Sequence, residues 1–236
     1  MAGPRTPLLR PDRYFSERSP RLAHAAIVVA VVAVASAVGI AVFLDQFAAA
    51  LDTTVTVDNP AYPGDSFCED PAFEETPRGC DEPPTVERQL GSMVAQELSW
   101  LPIAVAVIVP LWWLWQAVVL HAAGSVAGGS GSVGEALPVA GWGMAPSLLR
   151  LVVVLGFAVR QLRSVSVPDD PENALAVLQS AIAGIETVGL LAVLVVAVWA
   201  GAIRTYGLAD SHGLPVSRAA AAVVVLTLVG FLFELG

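Results

Sequence analysis

Five long apolar runs are the feature that most constrains what this chain can fold into. They lie at roughly 22–44, 98–122, 137–159, 182–204 and 218–235, with short polar stretches between them. An α-helix rises about 1.5 Å per residue and the hydrocarbon core of a bilayer is about 30 Å thick, so about 20 apolar residues are enough to cross it. The runs therefore predict an all-α polytopic membrane protein, a bundle of five transmembrane helices surrounded by a lipid bilayer.

The composition agrees with this interpretation and indicates a single domain. The hydrophobic fraction is 56%, above the value of about 45–50% that is usual for soluble proteins. No linker rich in Pro, Gly or Ser joins two soluble folded parts. We therefore expect residues 1–236 to form one five-span membrane domain, with an acidic loop at 45–97 that has little regular structure.

The charge is concentrated in that loop. All twelve basic residues are arginine, and residues 45–97 hold twelve acidic residues against Arg78 and Arg88, a net of −10 in a chain of net −9. No basic stripe is present that could neutralise phosphates, so nucleic acid is not an expected partner. An acidic, lysine-free chain predicts an organism of high GC content that grows in strong salt, where the screening length falls to about 3 Å at 1 M.

The charge distribution also predicts the topology. The first 21 residues contain five arginines against Asp12 and Glu17, so the positive-inside rule places the N-terminus in the cytoplasm and, after five crossings of the cell membrane, the C-terminus on the extracytoplasmic side. The predicted inner loops are 123–136 and 205–217. Arg160 and Arg163 fall on the outer side and oppose the assignment, but the asymmetry at the N-terminus is larger.

A secretory signal is the alternative for the first run. Its apolar part of about 23 residues exceeds the 7–15 residues of a signal h-region, which favours an uncleaved span.

The two cysteines, Cys68 and Cys80, lie in the loop that is expected outside the membrane. An even pair in that compartment predicts a disulfide, worth about 3 kcal/mol in the chain-entropy model. Metal binding is the weaker alternative, because the loop contains no histidine and two thiolates leave a tetrahedral zinc site short of ligands. We therefore predict no metal site.

A glycine-rich segment from Gly124 to Glu135 superficially resembles a phosphate-binding loop. It lacks the GxxxxGK[ST] pattern, and the chain has no lysine, so neither nucleotide nor any other cofactor is expected.

Arg150 is the most informative single residue, because it falls near the middle of the third run. An arginine at that depth costs about 2.5–3.5 kcal/mol on the insertion scale and should have a partner. Glu186, at similar depth in the next antiparallel run, is the candidate. The sequence leaves three interpretations of Arg150 open: a structural ion pair, a snorkelling side chain, or a charge used in transport or signalling.

Two other features of the spans lead to local predictions. His121 lies alone near the end of the second run, and such a histidine is more often a hydrogen-bonded structural group than a ligand. Gly141, Gly143 and Pro146 predict a local break within the third run.

Three stretches resemble a known family. They are Leu9 and Pro11 with Tyr14–Phe15, the segment Gly128-Gly-x-Gly131 through Glu135 to Gly141–Trp142 and Pro146, and the segment from Trp199 through Tyr206-Gly207-Leu208 and His212-Gly213-Leu214 to Ser217-Arg218-Ala219. On these residues the chain resembles the YIP family, the Ypt/Rab-interacting five-span membrane proteins, in a prokaryotic, haloarchaeal form. The likeness covers nearly the whole chain except 45–97.

The resemblance implies an all-helical bundle with a cytoplasmic N-terminus and carries over no catalytic residue. In eukaryotes the family is linked to vesicle traffic and to prenylated small GTPases. That role does not transfer, since the N-terminal segment here is very short and prokaryotes lack that traffic.

The expected function is a non-enzymatic membrane scaffold or adaptor whose partners are other membrane proteins or further copies of the chain. No small-molecule ligand is indicated, and the sequence has no Ser/His/Asp set, no HExxH and no paired aspartates in the spans. The alternative is a small transporter or channel component that uses Arg150 and Glu186. An intramembrane enzyme would depend only on His121, Glu135 and Arg150.

Overall fold

The computed structural model describes residues 5–51, 53–69, 77–164 and 171–235, and in the last range the side chains of 184 and 188–230. Two compact units result. The first consists of residues 1–43 and 100–236, and the second of residues 44–99. Each unit is described by itself below.

The described residues form helices with one small sheet. In chain order the elements are α1 Pro11–Glu17, α2 Leu22–Ala50, β1 Thr54–Asp58, α3 Asp65–Cys68, β2 Thr85–Gln89, α4 Leu90–Glu97, α5 Leu101–Val126, α6 Val133–Trp142, α7 Ser147–Ser164, α8 Pro171–His212 and α9 Val216–Leu235.

The helices confirm the predicted fold class. Four stretches are long and apolar enough to cross a membrane, and a fifth apolar helix is shorter; they are Leu22–Ala50, Leu90–Val126, Val133–Ser164, Val188–His212 and, as the short one, Val216–Gly230. Many apolar side chains on these helices point outward, as Val198 does with 77% of its surface exposed. Such exposure suits a lipid environment, because acyl chains are as apolar as the side chains. The chain is an all-α polytopic membrane protein.

The break predicted in the third run is present. α6 ends at Trp142 and α7 begins at Ser147. Between them the main chain turns, with the amide of Met144 donating to Gly141 O and that of Ala145 to Trp142 O, both at 3.1 Å. Pro146 has no N–H with which to continue the helix ladder across this point.

The inner loop predicted at 205–217 is wrong for most of its length. α8 continues to His212 and α9 begins at Val216, because no residue before Gly213 terminates the helix. Gly213 adopts φ +63°, which favours glycine, and the amide of Leu214 donates to Ala209 O at 2.9 Å. This is a Schellman end, and it closes α8 one residue after His212.

The second unit corrects the expectation of little regular structure at 45–97. Strands β1 and β2 pair antiparallel, in register from Thr54 opposite Gln89 to Asp58 opposite Thr85. β1 alternates polar and apolar residues over five positions, whereas β2 is polar apart from Val86, so a period-2 pattern is present in only one of the two strands. Cys68 and Cys80 are joined as a disulfide, with Cα atoms 5.5 Å apart.

The core of the first unit lies mainly where α5, α6, α8, α9 and the N-terminal residues meet. Its members are almost entirely buried and apolar: Tyr14, Phe15, Ala25, Leu120, Val139, Trp142, Ile203, Leu208, Ala209, Leu214, Ala219 and Val223. We call this cluster and the loops beside it the motif end, since all three stretches that carry the family resemblance contribute to it.

Candidate functional site

The N-terminal arm, residues 5–17, is packed into the motif end. Tyr14 and Phe15 each expose only 3% of their surface. Their rings lie edge to face with centroids 5.2 Å apart, and the Tyr14 ring is 6.1 Å from that of Trp142 on α6. The aromatic pair that precedes the first span is therefore part of the bundle core.

A hydrogen bond joins the arm to α8. The indole Nε1–H of Trp199 donates to the main-chain oxygen of Leu8 at 2.6 Å. Gly207, two turns further along α8, leaves the space that the arm occupies: a Cβ there would lie 3.0 Å from Cζ of Phe15 and would collide with Val139. A larger residue at Gly207 would push the arm and α6 away from α8.

The glycine loop, residues 124–132, connects α5 to α6 at the same end. Gly128 has φ +91°, and the amide of Gly129 donates to Gly124 O at 2.9 Å, so α5 ends in the same motif as α8. α6 then begins with a capping box in which Ser132 N–H donates to Glu135 Oε2 at 2.7 Å and Glu135 N–H donates to Ser132 Oγ at 3.4 Å.

Two histidines meet where these helix ends converge. Nδ1 of His121 on α5 lies 3.1 Å from Nε2 of His212 on α8, and Ser211 Oγ lies 2.9 Å from Nδ1 of His212. One ring must donate and the other accept, so the bond requires that at least one of the two imidazoles be neutral. We call these residues the histidine pair.

The glycine loop wraps closely around His212, which is only 1% exposed. A Cβ at Gly124, Gly129 or Gly131 would in each case lie 2.7 Å from an atom of His212. The amide of Ser130 also donates to the main-chain oxygen of His212 at 3.1 Å. The glycines of this segment therefore allow the main chain to approach the imidazole of His212. The superficial resemblance of the segment to a phosphate-binding loop has this structural explanation.

Two further hydrogen bonds of the region connect one helix to another. Arg204 Nη2 on α8 donates to Gln116 Oε1 on α5 at 2.8 Å, and Trp113 Nε1 on α5 donates to Leu137 O on α6 at 2.8 Å. Gly143, after α6, lies against Arg204, since a Cβ there would be 2.7 Å from Nε.

The structure gives the contacts of some predicted site residues but not of others. His121 is hydrogen-bonded, as expected for a structural histidine, and Glu135 belongs to the capping box of α6. Arg150 lies on α7, but the side chain of Glu186 lies outside the described residues, so their pairing stays a prediction.

Sequence reasoning did not predict the partners of these residues. His121 and His212 are 91 positions apart, and Leu8 and Trp199 are 191 apart. No spacing of residues within one helix predicts either contact. The usable signal was that His121, His212 and Trp199 flank a glycine-rich helix end or lie within a family stretch; Leu8 does neither.

No metal-ligand set is apparent in the part of the chain that the structure describes. There, no three side chains among His, Cys, Asp and Glu come together in an arrangement that could hold an ion. The two histidines are hydrogen-bonded to each other, and His212 is also hydrogen-bonded to Ser211.

The fold and the motif end define a polytopic all-α membrane protein whose N-terminal arm is part of its helical core. The chain belongs to the Yip1 domain family, whose family model matches residues 7–235. The family inferred from the three stretches is thus confirmed, while its prokaryotic, haloarchaeal form stays a prediction. The family is in general one of non-enzymatic membrane proteins. No curated protein and no solved structure matches the chain.

Proposed function

We propose that this protein is a non-enzymatic scaffold or adaptor of the cell membrane, with its N-terminus in the cytoplasm and its C-terminus outside. The supporting observation is that three polar side chains of the motif end are engaged with other parts of the bundle. His121, Trp199 and Arg204 each hydrogen-bond a residue of another element. A catalytic or ligand-binding group must instead present its reactive atom to a substrate.

The partner surface is assigned to the periphery of the motif end. Leu9 on the N-terminal arm and Val126 at the end of α5 expose 89% and 91% of their surface, more than Val198 within the α8 span at 77%. Both lie beyond the apolar core of their segments, where lipid tails would not cover them. Exposed apolar side chains at such positions favour contact with another membrane protein or with a second copy of this chain.

Site-specific photo-crosslinking in intact membranes tests this assignment. A photoreactive amino acid at Leu9 or at Val126 is expected to give discrete protein adducts, and an adduct of twice the chain's mass would identify a homo-oligomer. Val198 is the matched control, because it is also apolar and exposed but lies within a span. Equal adduct formation from Val198, or none from Leu9 and Val126, would contradict the scaffold proposal.

The orientation is tested independently of the partner. Tags fused to the two ends should be accessible from opposite faces of intact cells. Accessibility from one face would contradict an odd number of crossings. We also propose that residues 44–99 are an extracytoplasmic insertion in one membrane domain, and that their acidity reflects a haloarchaeal origin.

A small transporter or channel component is the second candidate. The break between α6 and α7 favours it, since discontinuous helices often line binding sites in transporters. Arg150 and Glu186 are the charges that such a path would use. Flux of a solute or ion through reconstituted vesicles that disappears in Arg150→Ala would replace the scaffold proposal with this one.

A further inference from the structure

A polar pocket lies beside the N-terminal arm and shares Tyr14 with the motif end. Its volume is about 380 Å³. The lining residues come from the arm, the segment after α1 and the first turn of α2: Arg5, Tyr14, Arg18, Ser19, Arg21 and His24. Three of these are arginines and one is a histidine, while no carboxylate lines the pocket.

The basic side chains of the pocket are not neutralised by the described part of the protein. The ion pair found there joins Arg13 to Glu17 at 3.2 Å, on α1 and away from the lining. Arg5, Arg18 and Arg21 have no carboxylate within 4.0 Å among the described residues. Three guanidinium groups around one cavity repel each other, so the arrangement favours an anionic occupant.

The pocket is held in place by the burial of its neighbours. Pro7 is fully buried, and the Tyr14 ring is fixed between Phe15 and Trp142. The amide of Arg18 donates to Tyr14 O at 3.0 Å, and Arg21 O accepts the amide of His24 at 3.1 Å. The main chain that carries Arg18 and Arg21 is therefore fixed by α1 on one side and by α2 on the other.

The position of the pocket along the membrane normal points to the source of the anion. α2 begins at Leu22, one residue after Arg21, and from Ala25 to Leu44 Ser36 is its one polar residue. The pocket therefore lies where the chain enters the hydrocarbon, which is the level of the lipid headgroups. The first amides of α2 also lack helical acceptors and favour negative charge nearby.

We propose that this pocket binds a phosphate group, supplied by the headgroup of an anionic phospholipid. The planar guanidinium of arginine matches phosphate oxygens in a bidentate manner. Tyr14 connects the pocket to the core, because it is one of the lining residues and its ring packs on Trp142. The proposal does not depend on the scaffold function.

Thermal unfolding of the full-length protein in nanodiscs tests the proposal at a fixed ionic strength of about 0.15 M. Nanodiscs of phosphatidylcholine alone are compared with nanodiscs that also contain phosphatidylglycerol, and the readout is the shift in Tm between the two. The wild-type protein is expected to be stabilised by phosphatidylglycerol. Each arginine near an anionic surface contributes about fivefold in affinity, so Arg18→Gln with Arg21→Gln should weaken the lipid's effect about 25-fold.

Arg13→Gln is the matched control, because Arg13 lies on the same arm but is paired with Glu17 and does not line the pocket. It should retain the full shift. Since each variant is compared with itself in phosphatidylcholine, a general loss of stability cancels. An equal loss of the shift in Arg13→Gln would mean unspecific surface attraction and would overturn the proposal.

A separate experiment distinguishes a lipid headgroup from free phosphate as the source of the phosphate group. Inorganic phosphate added to phosphatidylcholine nanodiscs should give little of the shift that phosphatidylglycerol gives. A shift of equal size that depends on Arg18 and Arg21 would overturn the assignment to a lipid and identify free phosphate as the ligand. No shift with either source would overturn the site itself.

Discussion

His121 and His212 lie on different helices, and their imidazole nitrogens are 3.1 Å apart. The bond joins α5 to α8 beside the glycine loop, and His212 is buried. It is one of the contacts by which the ends of these two helices are held together, next to the main-chain bond from Ser130 to His212.

Removing His121 is expected to destabilise the fold. In His121→Ala the Nε2 atom of His212 loses its partner in a buried place, which costs about 1–3 kcal/mol. The measurement is thermal or denaturant unfolding of the detergent-solubilised protein. His24→Ala is the control, since His24 is exposed outside the pair, and it should change stability by less than about 0.5 kcal/mol. Equal effects of the two variants would show that the bond contributes nothing.

Gly131→Ala should disturb the same region by steric overlap. The new Cβ would lie 2.7 Å from Cγ of His212, and overpacking of this kind costs about 1–3 kcal/mol. Gly156→Ala provides the comparison, because a Cβ on α7 at that position meets nothing within 4 Å. Alanine favours the helix there, so Gly156→Ala should be as stable as the wild type or more so. The readout is again the unfolding transition.

Raising the pH above about 10 should release the N-terminal arm. Burial raises the pKa of Tyr14 above its usual value of 10.0, although Arg18 and Arg21 act to lower it. A group whose folded pKa is raised contributes stability below the unfolded pKa and loses it as the pH rises through the folded pKa. Tyr14→Phe has no proton to lose, so its arm should show less alkaline release. Release is measured by limited proteolysis. Equal release in the wild type and in Tyr14→Phe would contradict this role of Tyr14.

Trp199→Phe should loosen the arm at neutral pH. The variant keeps an aromatic ring but loses the 2.6 Å bond to Leu8 O, a net loss of about 0.5–1.5 kcal/mol. Trypsin should then cleave faster after Arg5 and Arg13. Trp112→Phe is matched in chemistry, but Trp112 is exposed on α5, and its cleavage rate should equal that of the wild type. Equal cleavage rates in Trp199→Phe and Trp112→Phe would contradict a role of the Trp199–Leu8 bond in holding the arm.

The cysteines permit a test of redox state and sidedness together. We expect a membrane-impermeant maleimide to label intact cells only after an impermeant reductant has opened the bond between Cys68 and Cys80. Cys68→Ser should expose Cys80 to labelling without reductant. Labelling of the untreated wild type would argue against a disulfide, and failure to label Cys68→Ser would argue against an extracytoplasmic loop.

The spans could be predicted because their hydrophobic length is a local property of the sequence. The break at Gly143–Pro146 was predictable for the same reason, since proline and glycine act where they stand. The helical continuation of α8 to His212 was not, because its polar residues look like a loop until a true terminator, Gly213, is found.

The contacts of the motif end could not be derived from local pattern. That the arm would pack on α8 depends on complementary shapes, such as Phe15 against Gly207. Likewise, the partner of His121 is set by how α5 and α8 cross and not by any spacing within either helix. The three family stretches indicated which residues matter, but the structure was needed to show that they meet.

The bond from Trp199 to Leu8 has a consequence for biogenesis, because it closes a separation of 191 residues. Residues 5–17 are synthesised before α8, so the N-terminal arm can reach its place only after the fourth apolar stretch has been inserted. Until then the site that Tyr14 and Phe15 occupy between α6 and α8 has not formed. Packing of the arm is therefore a late assembly step, and it requires that α6 and α8 have come together.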